Sequence, residues 1–266
     1  MHYYKQRSDI NKFNSGRTIV KKLNPLITLL IIGSVFFVVG FACESSGGNS
    51  TTSNGGATGG GASQSQSKVN IAGDYEASGT NPDGKGTYKA ALTVTPRDDV
   101  YQFSWKSGST NYEGVGVTND NAVAVSYTTG TNGKGCGVVL YKINSDGSLD
   151  GKSGYWGVNN AESEKATRTS GSDLEGSYNI TGTNTDGKDY KGTLVVTKAG
   201  QGYKFAWNAG SSFDGFGIRA GNLVAVGFGG KQCAFVGYDV KPDGTLDGKW
   251  GVENSSTLGT EVAKKK

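Results

Sequence analysis

The sequence predicts an all-β protein with two tandem antiparallel domains, and three observations support this prediction. Gly79–Lys85 (GTNPDGK) and Gly182–Lys188 (GTNTDGK) are nearly identical, and the similarity around them extends from about residue 69 to residue 266. Apolar and polar residues alternate within each copy, as in half-buried antiparallel strands. The chain has 44 glycines and no helical apolar stripe after its N-terminal segment, which favours short strands joined by turns.

Each copy is predicted to contain seven or eight strands arranged as an up-and-down meander. The alternation runs, for example, through Tyr88, Ala90, Leu92 and Val94. Strands are expected to begin near Gly73, Tyr88, Tyr101, Tyr112, Ala122, Cys136 and Leu149, with a closing strand near Val158 or later. Such regular spacing is typical of a small barrel or sandwich. We therefore expect β domain 1 at 69–168 and β domain 2 at 173–266, each with its own core; whether they form two barrels or one fused sheet stays open.

The N-terminal 42 residues are predicted to be a signal peptide. An apolar run follows Lys21 and Lys22 and ends in Gly-Phe-Ala-Cys at residue 43. It is short for a membrane span and has the flanks of an export signal. Translation is expected to begin at Val20, from a non-AUG codon, so that the signal peptide starts there. The ending resembles the lipobox of bacterial lipoproteins, which implies that Cys43 is acylated and inserts into a lipid bilayer, although Gly40 replaces the usual Leu; an uncleaved anchor and plain secretion are the alternatives.

Residues 43–68 have the composition of a flexible, disordered tether. They are rich in Ser, Gly, Thr, Asn and Gln and show no apolar periodicity. Glu44, rather than Asp, follows the cysteine, which favours placement in the outer membrane or on the cell surface.

Charge and histidine content exclude several classes of function. Six of the 27 basic residues but only one of the 23 acidic residues precede Cys43, so the remaining chain is close to neutral and lacks the basic surface that nucleic acid requires. The only histidine is His2, within the predicted signal peptide. The rest of the chain therefore has no imidazole for a nucleophile–histidine pair or a histidine-based zinc site. We expect no enzyme activity, no cofactor and no metal.

Six Asp-Gly pairs predict tight hairpin turns. They include Asp83-Gly84, Asp150-Gly151 and Asp247-Gly248, and Asp-Gly suits a turn whose central residues need φ above zero. A calcium loop starting at Asn184 and Asp186 is the alternative, but no bidentate Glu follows at the twelfth position.

Cys136 and Cys233 occupy equivalent positions in the two copies. Neighbouring outward apolar residues, Val138, Leu140 and Phe235, predict a patch through which the domains meet about a pseudo-two-fold axis. Cysteines near such an axis pair if their Cα atoms approach within about 7 Å. A disulfide and two unpaired buried thiols are both open outcomes.

Ten aromatic residues are candidates for core or ligand contact, and core filling is the favoured interpretation. In the alignment of the copies, Trp105 matches Trp207, and Trp156-Gly-Val matches Trp250-Gly-Val. The ten are Phe103, Trp105, Tyr127, Tyr141, Trp156, Phe205, Trp207, Phe228, Tyr238 and Trp250.

The order G-x-Y, DG, Y-K-x-x-L, Y-x-F-x-W, G-x-G, V-A-V and L-D-G-K resembles a small repeated β module of exported bacterial proteins. Some members carry the label fibronectin-binding. The resemblance implies a non-catalytic binding or adhesion role, with a host or envelope protein as partner, extracellular-matrix proteins such as fibronectin included. The architecture is also similar to avidins and lipocalins, which implies the alternative of a carrier for a small apolar ligand.

Overall fold

The computed structural model describes residues 69–129, 133–230, 232–253, 255 and 257–266. Within these ranges the regular elements are sixteen β-strands and one 3-10 turn at Pro82–Gly84. The described part of the chain contains no helix long and apolar enough to cross a membrane. The predicted signal peptide, Cys43 and the tether lie outside the described residues.

Each repeat supplies eight strands, as predicted. The first repeat contains β1 (Gly73–Thr80), β2 (Thr87–Arg97), β3 (Val100–Ser107), β4 (Thr110–Asn119), β5 (Ala122–Thr129), β6 (Gly137–Ile143), β7 (Leu149–Tyr155) and β8 (Glu162–Ser172). The second contains β9 (Glu175–Thr183), β10 (Asp189–Ala199), β11 (Gly202–Asn208), β12 (Ser212–Ala220), β13 (Leu223–Phe228), β14 (Ala234–Val240), β15 (Leu246–Val252) and β16 (Gly259–Lys265). The all-β class and the strand starts are confirmed to within a few residues.

The strands form two closed antiparallel barrels whose boundaries differ from those of the repeats. Barrel A has the order β1-β16-β15-β14-β5-β4-β3-β2, and barrel B has the order β10-β11-β12-β13-β6-β7-β8-β9. Each barrel thus takes five strands from one repeat and three from the other. The prediction that residues 69–168 and 173–266 each enclose a core is wrong, because the two repeats exchange their last three strands: β6–β8 lie in barrel B and β14–β16 lie in barrel A.

The exchange gives the chain a nested order. Barrel B is one continuous stretch, 137–228, whereas barrel A combines the flanking segments 73–129 and 234–265. Barrel A closes where β16 pairs with β1, with Tyr75 opposite Lys265 and Thr80 opposite Thr260. The three strands that complete barrel A are therefore the equivalents, in the second repeat, of the three that complete barrel B.

The interior of each barrel is filled by the inward side chains that the alternation predicts. Both interiors contain a stacked pair of aromatic rings on one strand, Phe103 and Trp105 on β3 in barrel A and Phe205 and Trp207 on β11 in barrel B. The pair is packed by aliphatic residues of the remaining strands. In barrel A these are Ile71, Leu92, Val94, Val123, Val125, Val236 and Leu246, and in barrel B Leu149, Leu174, Ile180, Leu194, Val196, Val224 and Val226.

A third apolar cluster joins the barrels, at the patch that the sequence predicts. Val138, Leu140 and Phe235 are buried in it. The other buried members are Val100, Val115, Val117, Ala122, Ala124, Phe216, Ile218 and Ala225. The strands here are apolar on both faces, because one face lines a barrel and the other lines the junction.

Two glycines allow the barrels to approach closely at this junction. A Cβ on Gly227 would lie 2.9 Å from Cβ of Phe235, and one on Gly237 would lie 2.9 Å from Cβ of Ala225. Both distances are too short for non-bonded carbon atoms. The two barrels belong to one compact unit of the chain.

The Asp-Gly pairs separate into two groups. Four pairs lie in turns. Asp83 and Gly84 have φ of 63° and 65°, as the predicted turn requires, whereas only the glycine has positive φ in Asp146-Gly147, Asp186-Gly187 and Asp243-Gly244. Asp150-Gly151 and Asp247-Gly248 instead lie within β7 and β15. Their turn prediction is wrong because these glycines accommodate a tyrosine ring of the neighbouring strand, as described below.

Candidate functional site

Each barrel contains one buried glutamate, and these two residues are the centre of the candidate site. Glu164 lies on β8 and Glu261 on β16, with exposed fractions of 8% and 5%. Both point inward on strands whose next inward residue is an alanine, Ala166 or Ala263. A buried carboxylate is costly unless hydrogen bonds satisfy it, so its partners are informative.

In barrel A, three donors hold the Glu261 carboxylate. Trp105 Nε1 donates to Oε1 at 3.0 Å, and the Tyr238 hydroxyl donates to the same oxygen at 2.5 Å. The Tyr88 hydroxyl donates to Oε2 at 2.8 Å. Both carboxylate oxygens therefore accept hydrogen bonds.

Barrel B repeats this network with equivalent residues. The Tyr141 hydroxyl and Trp207 Nε1, the latter at 3.3 Å, donate to Oε1 of Glu164, and the Tyr190 hydroxyl donates to Oε2 at 3.0 Å. Trp207 Nε1 also lies 3.2 Å from the Tyr141 hydroxyl oxygen. The network is a property of the repeated fold.

Both repeats contribute to each network. In barrel A, Tyr88 and Trp105 come from the first repeat, whereas Tyr238 and Glu261 come from the second. The hydrogen bonds therefore connect the exchanged strands to the five strands that receive them.

Strand glycines make room for the tyrosine rings of these networks. A Cβ on Gly248 would lie 2.4 Å from Cδ1 of Tyr238, and one on Gly151 would lie 2.6 Å from Cε1 of Tyr141. Gly79 and Gly182 have the same relation to Tyr88 and Tyr190. A glycine inside a strand often marks such a close approach.

Burial dominates the electrostatics of the networks. It raises the pKa of Glu164, and the hydrogen bonds from Tyr141, Trp207 and Tyr190 oppose this rise. Burial, followed by the charge of Glu261, raises the pKa of Tyr238 well above the usual phenol value. The phenols therefore keep their protons at neutral pH and act as donors.

In each barrel, two tyrosine hydroxyls and one indole N–H satisfy the carboxylate. In the described ranges, no three Asp, Glu, Cys or His residues lie close enough together to hold a metal ion. The chemistry available to the site is hydrogen bonding, either to stabilise the barrel or to form the floor of a binding site at the barrel end.

Seven of the ten predicted aromatic residues lie in the barrel interiors with little or no exposure. The Phe103 ring centroid is 5.5 Å from that of Trp105 and 6.4 Å from that of Tyr238, with both pairs stacked. The other buried members are Tyr141, Phe205, Trp207 and Phe228. Tyr127 is half-buried, and its ring lies 5.1 Å from that of Trp105.

The predicted equivalence of Trp156 and Trp250 is wrong. Trp250 lies on β15 opposite Val236, and Ser153 takes the corresponding place on β7, opposite Val139. Trp250 packs on barrel A, and its Nε1 donates to Thr80 O at 3.2 Å. Trp156 follows β7 and packs on the junction between the barrels.

The same alignment error concealed the glutamates. Glu164 and Glu261 are separated by 97 residues, as are Cys136 and Cys233, so a gap-free comparison of the last three strands would have matched them. The two Trp-Gly-Val segments, at Trp156 and Trp250, are 94 residues apart. Matching them therefore shifts the register by three residues and hides the correspondence of the glutamates.

At two aromatic positions a tyrosine of barrel A is replaced by a phenylalanine in barrel B. Tyr112 and Tyr127 in barrel A correspond to Phe213 and Phe228 in barrel B, since each pair lies opposite equivalent residues of the neighbouring strands. Barrel A therefore has a hydroxyl group at each of these positions, and that of Tyr127 interacts with Glu261.

Cys136 and Cys233 form a disulfide, with a Cα–Cα distance of 5.7 Å. They lie on the two connections between the barrels, directly before β6 and β14. The bond thus links the point where the chain enters barrel B to the point where it returns to barrel A.

Two cavities open on the described surface. One, of about 550 Å³, lies where β1 begins and is lined by residues that include Ile71, Tyr75, Asp239 and Lys241. The other, of about 230 Å³, lies between β3, β4 and the segment after β7.

Comparison of the chain with protein-family models, with curated proteins and with solved structures found no match. The resemblance to fibronectin-labelled modules therefore stays a prediction.

Proposed function

We propose that this chain is a membrane-anchored binding protein of the bacterial surface with a non-catalytic, adhesive role. The observation that carries the proposal is the filling of both barrels by their own side chains. Phe103 and Phe205 are fully buried at the centres of aromatic stacks, and barrels of eight strands are often just wide enough for such filling. Recognition is therefore assigned to the outer surface and the barrel ends.

The rigidity of the unit also supports a role in binding. The exchanged strands, the apolar junction and the Cys136–Cys233 disulfide hold the two barrels together. A rigid surface loses little conformational entropy on binding. A lipid anchor at Cys43 and a flexible tether would present this surface to a host or envelope protein, as the sequence predicts.

The test is saturable binding of residues 69–266, without a tag and with the disulfide intact, to immobilised matrix proteins including fibronectin. We expect saturable binding to at least one of them and none to an albumin-coated surface. Its absence from every matrix protein would overturn the adhesive role.

The anchoring part of the proposal has its own test. On intact cells, protease should remove the protein, and Cys43→Ala should abolish incorporation of radiolabelled lipid. Undiminished lipid labelling of Cys43→Ala would overturn the lipid anchor.

One observation favours the second candidate, a carrier of a small apolar ligand. Four half-buried aromatic residues lie around the Glu261 end of barrel A: Tyr88, Tyr112, Tyr127 and Trp250. Barrel mouths are frequent ligand sites. Native mass spectrometry of protein purified from its own host would show a retained small molecule if this candidate is correct.

A further inference from the structure

The smaller cavity is built from both barrels. Val100 and Val115 of barrel A form an apolar wall, and Trp156, which follows β7 of barrel B, forms an aromatic one. Arg97, Gln102 and Asn159 add polar groups to its lining. Its volume of about 230 Å³ is below the roughly 300–1,000 Å³ typical of sites for drug-sized ligands. The cavity therefore suits a single small ring.

At the equivalent place in the other half of the molecule, the described lining residues differ. By strand register, Gly202 replaces Val100 and Phe216 replaces Val115. The Phe216 ring lies over Gly202, where an added Cβ would be 2.7 Å from Cε1, so a side chain occupies the space. Glu253 stands at the position that corresponds to Trp156. The two halves have diverged here although their interiors match.

Trp156 is held in a fixed position. Its ring packs against Gly133, where an added Cβ would lie 2.8 Å from Cε3. Its backbone N–H donates to Cys136 O at 3.1 Å. The segment is tied to barrel A because Asp99 N donates to Asn159 O at 3.0 Å and Asn159 Nδ2 donates to Asp98 Oδ2 at 3.2 Å. The aromatic wall is thus preorganised, which lowers the entropic cost of binding.

The polar groups are oriented as well. Arg97 Nη2 donates to Gln102 Oε1 at 3.1 Å, and Gln102 Nε2 donates to Glu113 Oε2 at 3.0 Å. A guanidinium has five N–H donors, so Arg97 retains donors for a ligand, and the Asn159 amide offers an acceptor.

We propose that this cavity binds one pyranose residue of a glycan. A pyranose has an apolar C–H face that suits an indole ring, and hydroxyls at its edge that match amide and guanidinium groups. The inference deepens the proposed binding function and rests on it, because it names the chemistry that the surface recognises.

The test uses residues 69–266 with the disulfide intact and a panel of methyl pyranosides with their uronic acid counterparts, measured by saturation-transfer NMR and titration. We expect at least one pyranoside to bind, and Trp156→Ala to weaken its binding about tenfold or more. Val195→Ala, a change at an exposed apolar residue on β10 outside the cavity, should bind as the wild type does. Asn159→Ala removes the exposed amide and its bond to Asp98 but keeps the backbone bond from Asp99 N to Asn159 O, and it should also weaken binding. If a uronic acid binds more tightly than its neutral pyranoside, and this difference is lost in Arg97→Gln, the result would support the same site.

Two results would overturn the inference: no pyranoside binds, or Trp156→Ala and Asn159→Ala both bind as tightly as the wild type while thermal unfolding shows all proteins folded. Matrix-protein binding is measured on the same samples. If a matrix protein binds and no pyranoside does, the sugar site fails and the adhesive role stands. If pyranosides bind and no matrix protein does, the sugar site stands and the partner of the proposed function is a glycan.

Discussion

Replacing Glu261 by leucine should strongly destabilise the protein, and replacing it by glutamine should do so less. Leucine is similar in size but accepts no hydrogen bond. It would leave Trp105 Nε1 and the hydroxyls of Tyr88 and Tyr238 without their carboxylate partner. Glutamine keeps one acceptor oxygen and loses the charge.

The magnitude follows from the number of donors. A buried donor without a partner costs about 1–3 kcal/mol. The two hydroxyls can rotate towards other acceptors, such as Thr260 O, which lies 3.3 Å from the Tyr88 hydroxyl, whereas an indole N–H cannot. We therefore expect a loss in the free energy of unfolding of about 3–6 kcal/mol for Glu261→Leu and about 1–3 kcal/mol for Glu261→Gln.

The assay is urea unfolding of residues 69–266 at neutral pH with the disulfide intact, followed by tryptophan fluorescence and circular dichroism. Glu175→Leu, an exposed glutamate on β9, is the matched control and should change stability by less than about 0.5 kcal/mol. Tyr88→Phe should cost less in the Glu261→Leu background than in the wild type, with a coupling energy of about 1 kcal/mol.

The reasoning would be refuted if leucine and glutamine at position 261 had equal effects within error. It would also be refuted if Tyr88→Phe had the same cost in both backgrounds, because the hydrogen bonds would then contribute nothing specific.

Three further sites and one fragment give additional predictions. Burial raises the pKa of Glu164 above its usual 4.5, so the folded protein binds a proton at this side chain more tightly than the unfolded chain does. The stabilisation from this proton is fully present below the unfolded-state pKa and is lost as the pH rises through the folded-state pKa. In urea titrations, the free energy of unfolding of the wild type relative to Glu164→Gln should therefore fall as the pH rises above the unfolded-state pKa of the glutamate. Reducing the Cys136–Cys233 disulfide, whose cysteines are 97 residues apart, should lower the free energy of unfolding by about 2–4 kcal/mol with circular dichroism unchanged in buffer. Thr118 Oγ1 is buried without a partner in the described part of the chain, so Thr118→Val should raise the free energy of unfolding by about 1 kcal/mol. The fragment 137–228 should fold alone, with protected amides in hydrogen exchange, because it contains every strand of barrel B; an unfolded fragment would show that barrel B needs its junction with barrel A and would contradict this prediction.

The strand content could be predicted because alternation is a local signal. The inward residues Leu92 and Val94 and the outward patch at Val138 and Leu140 follow from a period of two along each strand. The conformation of Asp83-Gly84 follows from residue chemistry in the same way.

The exchange of strands could not be predicted from these local patterns. β6 and β14 present the same alternation to their neighbours, so β5 can accept either strand. No periodicity encodes which of the two strands pairs with β5. The buried glutamates were detectable in principle, but a charged residue on a short strand reads as exposed unless its repeat partner is aligned with it.

The nested order has a consequence for the chain as it is synthesised. Strands β1–β5 emerge first and form an open sheet whose two edges, β1 and β5, lack their final neighbours. They pair only when β16 and β14 appear, after the whole of barrel B. Open strand edges invite aggregation. A chaperone that shields the early half-barrel should therefore matter more for the yield of this protein than for a simple tandem of two self-contained barrels.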